Sequence, residues 1–245
     1  MSELSVKAYK RKLARERERR RLLRLHRYEH AAFERGFLSI GGIDEVGRGP
    51  LAGPVVAACV VTERPLMLRG LDDSKKVRPE VRLELAEQIK TGVLAWAVGE
   101  ASVAEIERIN IYWASILAME RALAALAHVP HYLLTDAVRI RSFSGEQLPV
   151  IKGDAKCATV AAASILAKVH RDAILVELDR SFPQYGFAEH KGYSTPQHQE
   201  ALLLHGPCEH HRRHFLRVAN ALSLFEFEAA RAAEAAPGEL VPIEA

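Results

Sequence analysis

The sequence predicts an α/β protein in which helices flank a mixed five-stranded sheet and additional helices follow at the C-terminal end. Two glycine-bounded apolar runs lie close together, and strand-like and helix-like segments then alternate. The 245 residues are 49% hydrophobic and 27% charged, which is enough apolar material to bury a core. These values exclude a chain that is disordered, collagen-like or coiled-coil throughout.

Five short apolar segments are predicted as strands. The first two, 37–46 and 54–61, are joined by a short glycine-rich link, so we expect them to pair antiparallel. The third covers 93–99, the fourth 131–135 and the fifth 149–152. Three consecutive strands followed by strand and helix alternation are typical of a sheet of mixed direction.

The predicted helices show apolar residues at helical spacing. Pro79 lies in the first turn of one, and Asp154 opens the longest. The helices span 79–90, 109–127 and 155–180, with shorter ones beginning at Pro196 and Arg212.

Charge is segregated along the chain. Residues 1–36 carry 12 Lys and Arg against 5 Glu, although the whole chain has a net charge of only +3. We therefore predict a basic N-terminal extension over 1–36, a folded domain over 37–227 and an Ala/Glu-rich tail over 228–245. Residues 7–27 of the extension have a helical pattern, and the extension is either a solvated charged tail or an arm for a polyanion.

The three cysteines form no CxxC pair, and no run of about 18 apolar residues is present. We therefore expect a cytoplasmic protein with no membrane partner, disulfide framework or zinc module. Four histidines near Cys208 lack the spacing of zinc ligands. They are His205, His210, His211 and His214.

Acidic residues follow the predicted strands. Asp44 and Glu45 end the first, Asp136 ends the fourth, and Asp154 follows the fifth. Taken singly, each could be a polar strand end, a turn residue or a helix cap. Strand ends of a mixed sheet converge, and two carboxylates about 4 Å apart repel by about 4 kcal/mol at an effective dielectric of about 20. Such a cluster therefore needs a cation.

An all-oxygen ligand set favours Mg²⁺ or Mn²⁺ over zinc, and two such ions suit in-line displacement at phosphorus. Asp172 is a rival ligand, but it lies about 27 Å beyond Asp154 along the predicted helix. The two cannot hold the same ions, and Asp154 is nearer the strand ends.

The stretch 47–53, which opens with the turn Gly47, Arg48 and Gly49, matches a dinucleotide-binding fingerprint, but a strand-like segment follows it instead of the required helix. Backbone groups unshielded by side chains can grip a small hydroxyl instead. A ribose 2′-hydroxyl both donates and accepts, so this turn could distinguish RNA from DNA.

Several motifs together resemble type 2 ribonuclease H, specifically bacterial ribonuclease HII. The similarity runs from about residue 37 to 218. The motifs are GIDEVGRGPLAGPVV at 42–56, DDSKK at 72–76, KGDAK at 152–156, AAASILAK at 161–168 and GFAEHKGY at 186–193.

The resemblance implies the ribonuclease H-like fold and a metal-dependent endoribonuclease. Its substrates would be RNA/DNA hybrids and duplex DNA with single ribonucleotides, cut 5′ of the ribonucleotide to leave 3′-hydroxyl and 5′-phosphate ends. It also implies a role for each of several residues, with Mg²⁺ or Mn²⁺ as cofactor. The metal-binding carboxylates fall on Asp44, Glu45, Asp136 and Asp154, the ribose-sensing turn on Gly47, Arg48 and Gly49, and the nucleotide-contacting tyrosine on Tyr193.

Two positions depart from the family pattern: Ala137 replaces a common glycine and Cys157 a common serine. Lys75 and Lys76 suit phosphate positioning, although a solvated turn would look the same. Ser164, with Lys168 and Arg171 at helical spacing, could follow a nucleic-acid backbone, and Tyr193 could instead be a core residue.

We expect the ribonuclease to be a monomer. Two other functions stay open at this stage. A non-catalytic nucleic-acid-binding protein would depend on the basic extension and ignore chelators. A nucleotide-cofactor oxidoreductase would carry bound nicotinamide.

Overall fold

The computed structural model describes residues 3–235 of the chain, and within that range it gives no side-chain environment for residues 3–6, 8 and 228–235. Residues 236–245 of the predicted tail therefore lie outside the described part. The described chain divides into two units. The first contains the residues up to Arg48 together with Pro54–Ile174, and the second contains Gly49–Gly53 together with the residues from Leu175 onward.

The first unit is built on the predicted mixed five-stranded sheet. Its strand order is β3-β2-β1-β4-β5, in which β1 pairs antiparallel with β2 and parallel with β4. β3 is antiparallel to β2, and β5 is parallel to β4. The strands are β1 Ile40–Val46, β2 Val55–Thr62, β3 Ala95–Ala101, β4 Tyr132–Asp136 and β5 Glu146–Val150.

The described residues of the two units contain eight α-helices. In chain order they are α1 Glu3–Leu25, α2 Arg27–Glu34, α3 Pro79–Gly92, α4 Val103–Ala124, α5 Ala158–Ser181, α6 Phe187–His190, α7 Pro196–His205 and α8 Leu216–Ala235. Among these described helices none is long and apolar enough to cross a bilayer.

Three helix starts differ from the predictions. α4 begins at Val103, where Ser102 and Glu105 form a reciprocal capping box, and it is interrupted by the non-helical Asn110 (φ of 67°), next to the predicted start at residue 109. The long helix α5 begins at Ala158, since Asp154 lies on a separate 3₁₀ turn, Gly153–Ala155, and does not open the helix. The last helix, α8, begins at Leu216 instead of Arg212.

Part of the basic N-terminal segment is packed and not solvated. Leu22 and Leu25 are buried in the core cluster that also contains β2, α3 and α5. The carboxylate of Glu29, on α2, accepts hydrogen bonds of 2.8 Å from both the backbone N–H and the hydroxyl of Thr159, near the start of α5. These contacts attach α1 and α2 to the first unit.

Gly42 lets helix α5 lie directly against strand β1. A Cβ atom at this position would lie only 2.2 Å from the carbonyl carbon of Thr159 and 2.4 Å from the nitrogen of Val160. The close packing brings α5 against the strand that ends in Asp44 and Glu45.

The second unit is held together around the Gly49–Gly53 segment. The buried guanidinium of Arg212 donates hydrogen bonds to the carbonyls of Gly53 and Pro50, at 2.7 to 3.0 Å. The N–H of Leu51 donates to the carbonyl of Gly192 at 2.8 Å. A buried cation thereby organises loop backbone that no regular element supports.

Candidate active site

Asp44 lies near the end of β1 and is only 5% exposed. Burial raises its pKa well above the ordinary value, and the negative charges of Glu45, Asp136 and Asp154 raise it further. A hydrogen bond that Ser164 donates to Asp44 opposes this effect on the pKa. The structure therefore brings the four predicted carboxylates into one electrostatic neighbourhood.

Glu45 is the second carboxylate of β1. One of its oxygens, Oε1, accepts from the guanidinium of Arg48 at 3.2 Å. The other, Oε2, is buried and has no hydrogen-bond partner in the described structure. A buried, unpartnered carboxylate oxygen costs free energy, which is the expected condition of an atom that serves a bound cation.

Asp136 ends β4 and is oriented by the backbone. Its Oδ1 accepts a 2.8 Å hydrogen bond from the N–H of Gly153, which belongs to the 3₁₀ turn that carries Asp154. The two carboxylates are therefore linked through the same short segment of chain.

Asp154 is buried, and its Oδ2 lies 3.2 Å from the ammonium group of Lys75. Burial alone would lower the pKa of Lys75, but the hydrogen bond to Asp154 and the surrounding carboxylates raise it above the ordinary value. Lys75 therefore stays charged and partly neutralises the acidic cluster.

These side chains do not form a closed metal cage as they stand. Within the described residues, no group of three or more histidine, cysteine, aspartate or glutamate side chains is arranged to hold a metal ion. Arg48 and Lys75 each draw one carboxylate into an ion pair. The donor set nevertheless fits Mg²⁺ or Mn²⁺, because it is entirely carboxylate oxygen and includes the unpartnered Oε2 of Glu45.

The glycine turn that follows β1 begins at Gly47, which has a positive φ of 98°. A Cβ there would lie 2.4 Å from Nε of Arg171 and 2.8 Å from the carbonyl oxygen of Pro54. Arg171 is fully buried, and its Nε donates to that carbonyl at 3.0 Å. A side chain at position 47 would therefore displace Arg171, whose hydrogen bond supports the turn.

The helical spacing of Lys168 and Arg171 had suggested that both side chains could follow a nucleic-acid backbone. The structure instead places both in contacts within the protein. Arg171 is buried against the turn, and Lys168 forms a 2.6 Å ion pair with Asp172. Ser164 is also buried, and its hydroxyl contacts Ser74 at 2.8 Å as well as Asp44. The second predicted phosphate contact, Lys76, is exposed and lies 3.5 Å from Asp72.

Ala137, which replaces the glycine common in the family, adopts a left-handed backbone conformation with φ of 56°. An L-residue with a Cβ pays about 1 to 2 kcal/mol for this conformation. Replacing Ala137 with glycine relieves that cost, but glycine gains about 0.4 to 1 kcal/mol of freedom in the unfolded state. We expect Ala137→Gly to raise the free energy of unfolding by up to about 1 kcal/mol.

Thermal unfolding checks this expectation, and an increase of about 1 to 3 °C in the midpoint is predicted. The control is the same substitution at Ala104, an exposed position in helix α4, where glycine should lower stability by about 1 kcal/mol. A lower midpoint for Ala137→Gly would show that the strain at Ala137 is smaller than the cost of the added freedom of glycine in the unfolded state.

In the second unit, Tyr193 is 41% exposed and is not a core residue. Its backbone carbonyl lies 2.9 Å from Nδ1 of His198, and the Nε2 atoms of His198 and His211 are also 2.9 Å apart. Burial lowers the pKa of His198 to about 4 and that of His211 to about 3, so both are neutral. Sequence reasoning missed this histidine pair, which holds the backbone at Tyr193.

A mixed five-stranded sheet with acidic side chains clustered around the end of its central strand is the arrangement expected of the ribonuclease H-like class of metal-dependent nucleases. The sequence profile of one family, ribonuclease HII, matches residues 41–218. The chain therefore belongs to the ribonuclease HII family and is a metal-dependent endoribonuclease acting on RNA/DNA.

Individual relatives agree with this assignment. Ribonuclease HII of Myxococcus xanthus is 50% identical over 208 residues, which are 84% of this chain and 71% of the relative. The ribonuclease HII of Geobacillus thermodenitrificans is 47% identical over 225 residues, which are 90% of this chain and 86% of the relative. The crystal structure of ribonuclease H2 from Pyrococcus horikoshii OT3 shares the fold, with a TM-score of 0.66 and 24% identity. The match covers 77% of this chain and 99% of that structure. The nuclease hypothesis is thus favoured over a non-catalytic binding protein and an oxidoreductase.

Proposed function

We propose that the enzyme hydrolyses the RNA strand of RNA/DNA hybrids and also cuts 5′ of single ribonucleotides in duplex DNA. The reaction uses two divalent ions, Mg²⁺ or Mn²⁺, and leaves 3′-hydroxyl and 5′-phosphate ends. One observation carries the proposal: Asp44 is buried among three other carboxylates that raise its pKa. A folded protein tolerates such a cluster when cations offset the repulsion.

The four carboxylates would hold the ions, and each contributes differently. Asp44 is central, because the charges of the other three all act on it. Glu45 offers its unpartnered Oε2, and Asp136 keeps one oxygen fixed by the N–H of Gly153. Divalent ions bound here would stabilise the charge on the attacking and leaving oxygens and lower the pKa of the attacking water.

Lys75 would exchange partners when substrate binds. Its side chain is 74% exposed, although its ammonium group is paired with Asp154. A long, exposed lysine can move to a substrate phosphate, which frees the Asp154 carboxylate for a cation. The neighbouring Lys76 is exposed as well and would contact another phosphate.

Discrimination of RNA from DNA would depend on backbone groups. Gly47 allows the chain to turn directly after Glu45, and buried Arg171 supports the turn through the carbonyl of Pro54. With Arg48 and Gly49, this turn would receive the ribose 2′-hydroxyl. We propose that the exposed ring of Tyr193 contacts the nucleotide, and that Ser164 holds Asp44 in place.

The experiment is cleavage of a DNA duplex that contains one embedded ribonucleotide, with Mg²⁺ and Mn²⁺ supplied separately and the product ends mapped at nucleotide resolution. A single cut on the 5′ side of the ribonucleotide, absent with EDTA, is the expected result. A matched duplex without the ribonucleotide should stay intact. Cleavage of both duplexes, or cutting that survives EDTA, would contradict the proposal.

A further inference from the structure

A basic cleft of about 280 Å³ lies in the first unit, outside the carboxylate cluster. It is lined by five basic side chains and one acidic one, with Leu25 and Ala155 as apolar neighbours. The charged residues are Arg21, Arg24, Arg27, Lys76, Lys156 and Asp72. Part of this positive charge belongs to residues of the N-terminal segment. The family resemblance assigns no role to that segment.

The arginines of the cleft are held in place by the fold. The N–H of Gly70 donates a 2.8 Å hydrogen bond to the carboxylate of Glu18, which also binds Arg21 at 2.8 to 2.9 Å. Arg21 lies 3.6 Å from Asp72, and the adjoining Leu22 is buried. Helix α1 therefore presents its last turn at a fixed place on the first unit.

Two of the arginines remain available for a ligand. Arg24 is exposed and has no hydrogen bond or ion pair among the described residues. The guanidinium of Arg27 lies 4.6 Å from the centre of the Tyr28 ring and donates to the Tyr28 hydroxyl at 3.1 Å. A planar guanidinium with free N–H groups matches phosphate geometry, and stacking on a ring positions it in advance.

The cleft adjoins the proposed catalytic residues along two chain segments. Lys156 follows Asp154 by two positions, and Lys76 follows Lys75, whose ammonium group contacts Asp154. A polymer bound at the carboxylates would therefore extend its backbone towards these cations. A single small anion could be bound by fewer than the five basic side chains that line the cleft.

We propose that this basic cleft binds backbone phosphates of the nucleic-acid substrate away from the cut. The inference rests on the proposed function, because it needs the substrate to be bound at the neighbouring carboxylates. Arg24 and Arg27 supply the main contacts, with Lys156 beside them. The cleft thus adds affinity without taking part in the chemistry.

The test compares Arg24→Gln/Arg27→Gln with a control, Lys12→Gln/Arg15→Gln, which removes the same charge from exposed positions of α1 outside the cleft. Binding of a fluorescent RNA/DNA hybrid is measured by anisotropy in EDTA over a range of salt concentrations. The cleft variant should bind about tenfold more weakly at low salt, with a salt slope smaller by about 2. The control should stay within about twofold of the unaltered protein.

Cleavage at saturating enzyme separates this proposal from the proposed function. The cleft variant should cut the bound hybrid at the unaltered single-turnover rate, because its changes lie outside the carboxylates. Equal affinity and equal salt slope for cleft variant and unaltered protein would overturn the cleft proposal. Absence of cleavage by the unaltered protein would instead overturn the proposed function. Arg24→Gln alone, at an exposed position, repeats the binding test in a variant that keeps every described contact.

Discussion

Asp136→Asn is expected to reduce cleavage of an RNA/DNA hybrid at least about a thousandfold, equivalent to about 4 kcal/mol of transition-state stabilisation. The asparagine retains an oxygen that can accept the 2.8 Å hydrogen bond from the N–H of Gly153. Only the negative charge is lost, and with it a ligand for a divalent ion. Single-turnover cleavage rates and hybrid affinity in EDTA provide the measurement, and affinity should change by less than about twofold.

The control for this variant is Glu146→Gln. Glu146 is an exposed carboxylate that pairs with Arg35 at 2.6 Å, outside the acidic cluster. An ion pair between two exposed side chains contributes little to stability, so cleavage should be unchanged. Comparable turnover by Asp136→Asn and the unaltered enzyme would remove Asp136 from the catalytic site.

Gly42→Ala is expected to lower the free energy of unfolding by about 3 kcal/mol, the upper end of the range of about 1 to 3 kcal/mol that overpacking a rigid contact typically costs. The new Cβ would overlap the backbone of Thr159 and Val160, at 2.2 to 2.4 Å. Backbone cannot rotate away as a side chain does. Helix α5 would have to move from β1, which would also separate Ser164 from Asp44.

Chemical denaturation measures the change, with Gly92→Ala as its control. Gly92 ends helix α3, and a Cβ there would meet only Leu66, at an ordinary 3.7 Å. That variant should stay within about 1 kcal/mol of the unaltered protein. Similar small losses for both substitutions would show that α5 and β1 are not packed at this distance.

The first four strands of the sheet could be predicted from the sequence because they are apolar segments bounded by glycines and turns. The fifth, β5, shares only Pro149 and Val150 with the predicted segment 149–152, since most of its residues are exposed and no apolar run marks them. β1 and β2 pair in register from Ile40 with Thr62 to Val46 with Val56, as the short link between them requires. Helix α2 was missed because its fixing contact is tertiary: buried Glu29 binds Thr159, 130 positions away. The capping box of α4, at Ser102 and Glu105, was a local signal that could have been read.

The candidate site was only partly accessible to sequence reasoning. The four carboxylates could be named because each follows a strand or a family motif. The pairing of Lys75 with Asp154 and the burial of Arg171 depend on how distant segments pack, which periodicity does not encode. Deletion of residues 1–36 would remove Leu22 and Leu25 from the core, so a test of the basic extension needs point variants.

Mn²⁺ binding in the absence of nucleic acid, followed by electron paramagnetic resonance, tests most directly whether the carboxylates of Asp44, Glu45, Asp136 and Asp154 form a metal centre. The unaltered protein should deplete the signal of free Mn²⁺, and Asp136→Asn should need at least about tenfold more Mn²⁺ for the same depletion, or about 1.4 kcal/mol. Identical titrations for the two proteins would contradict the account.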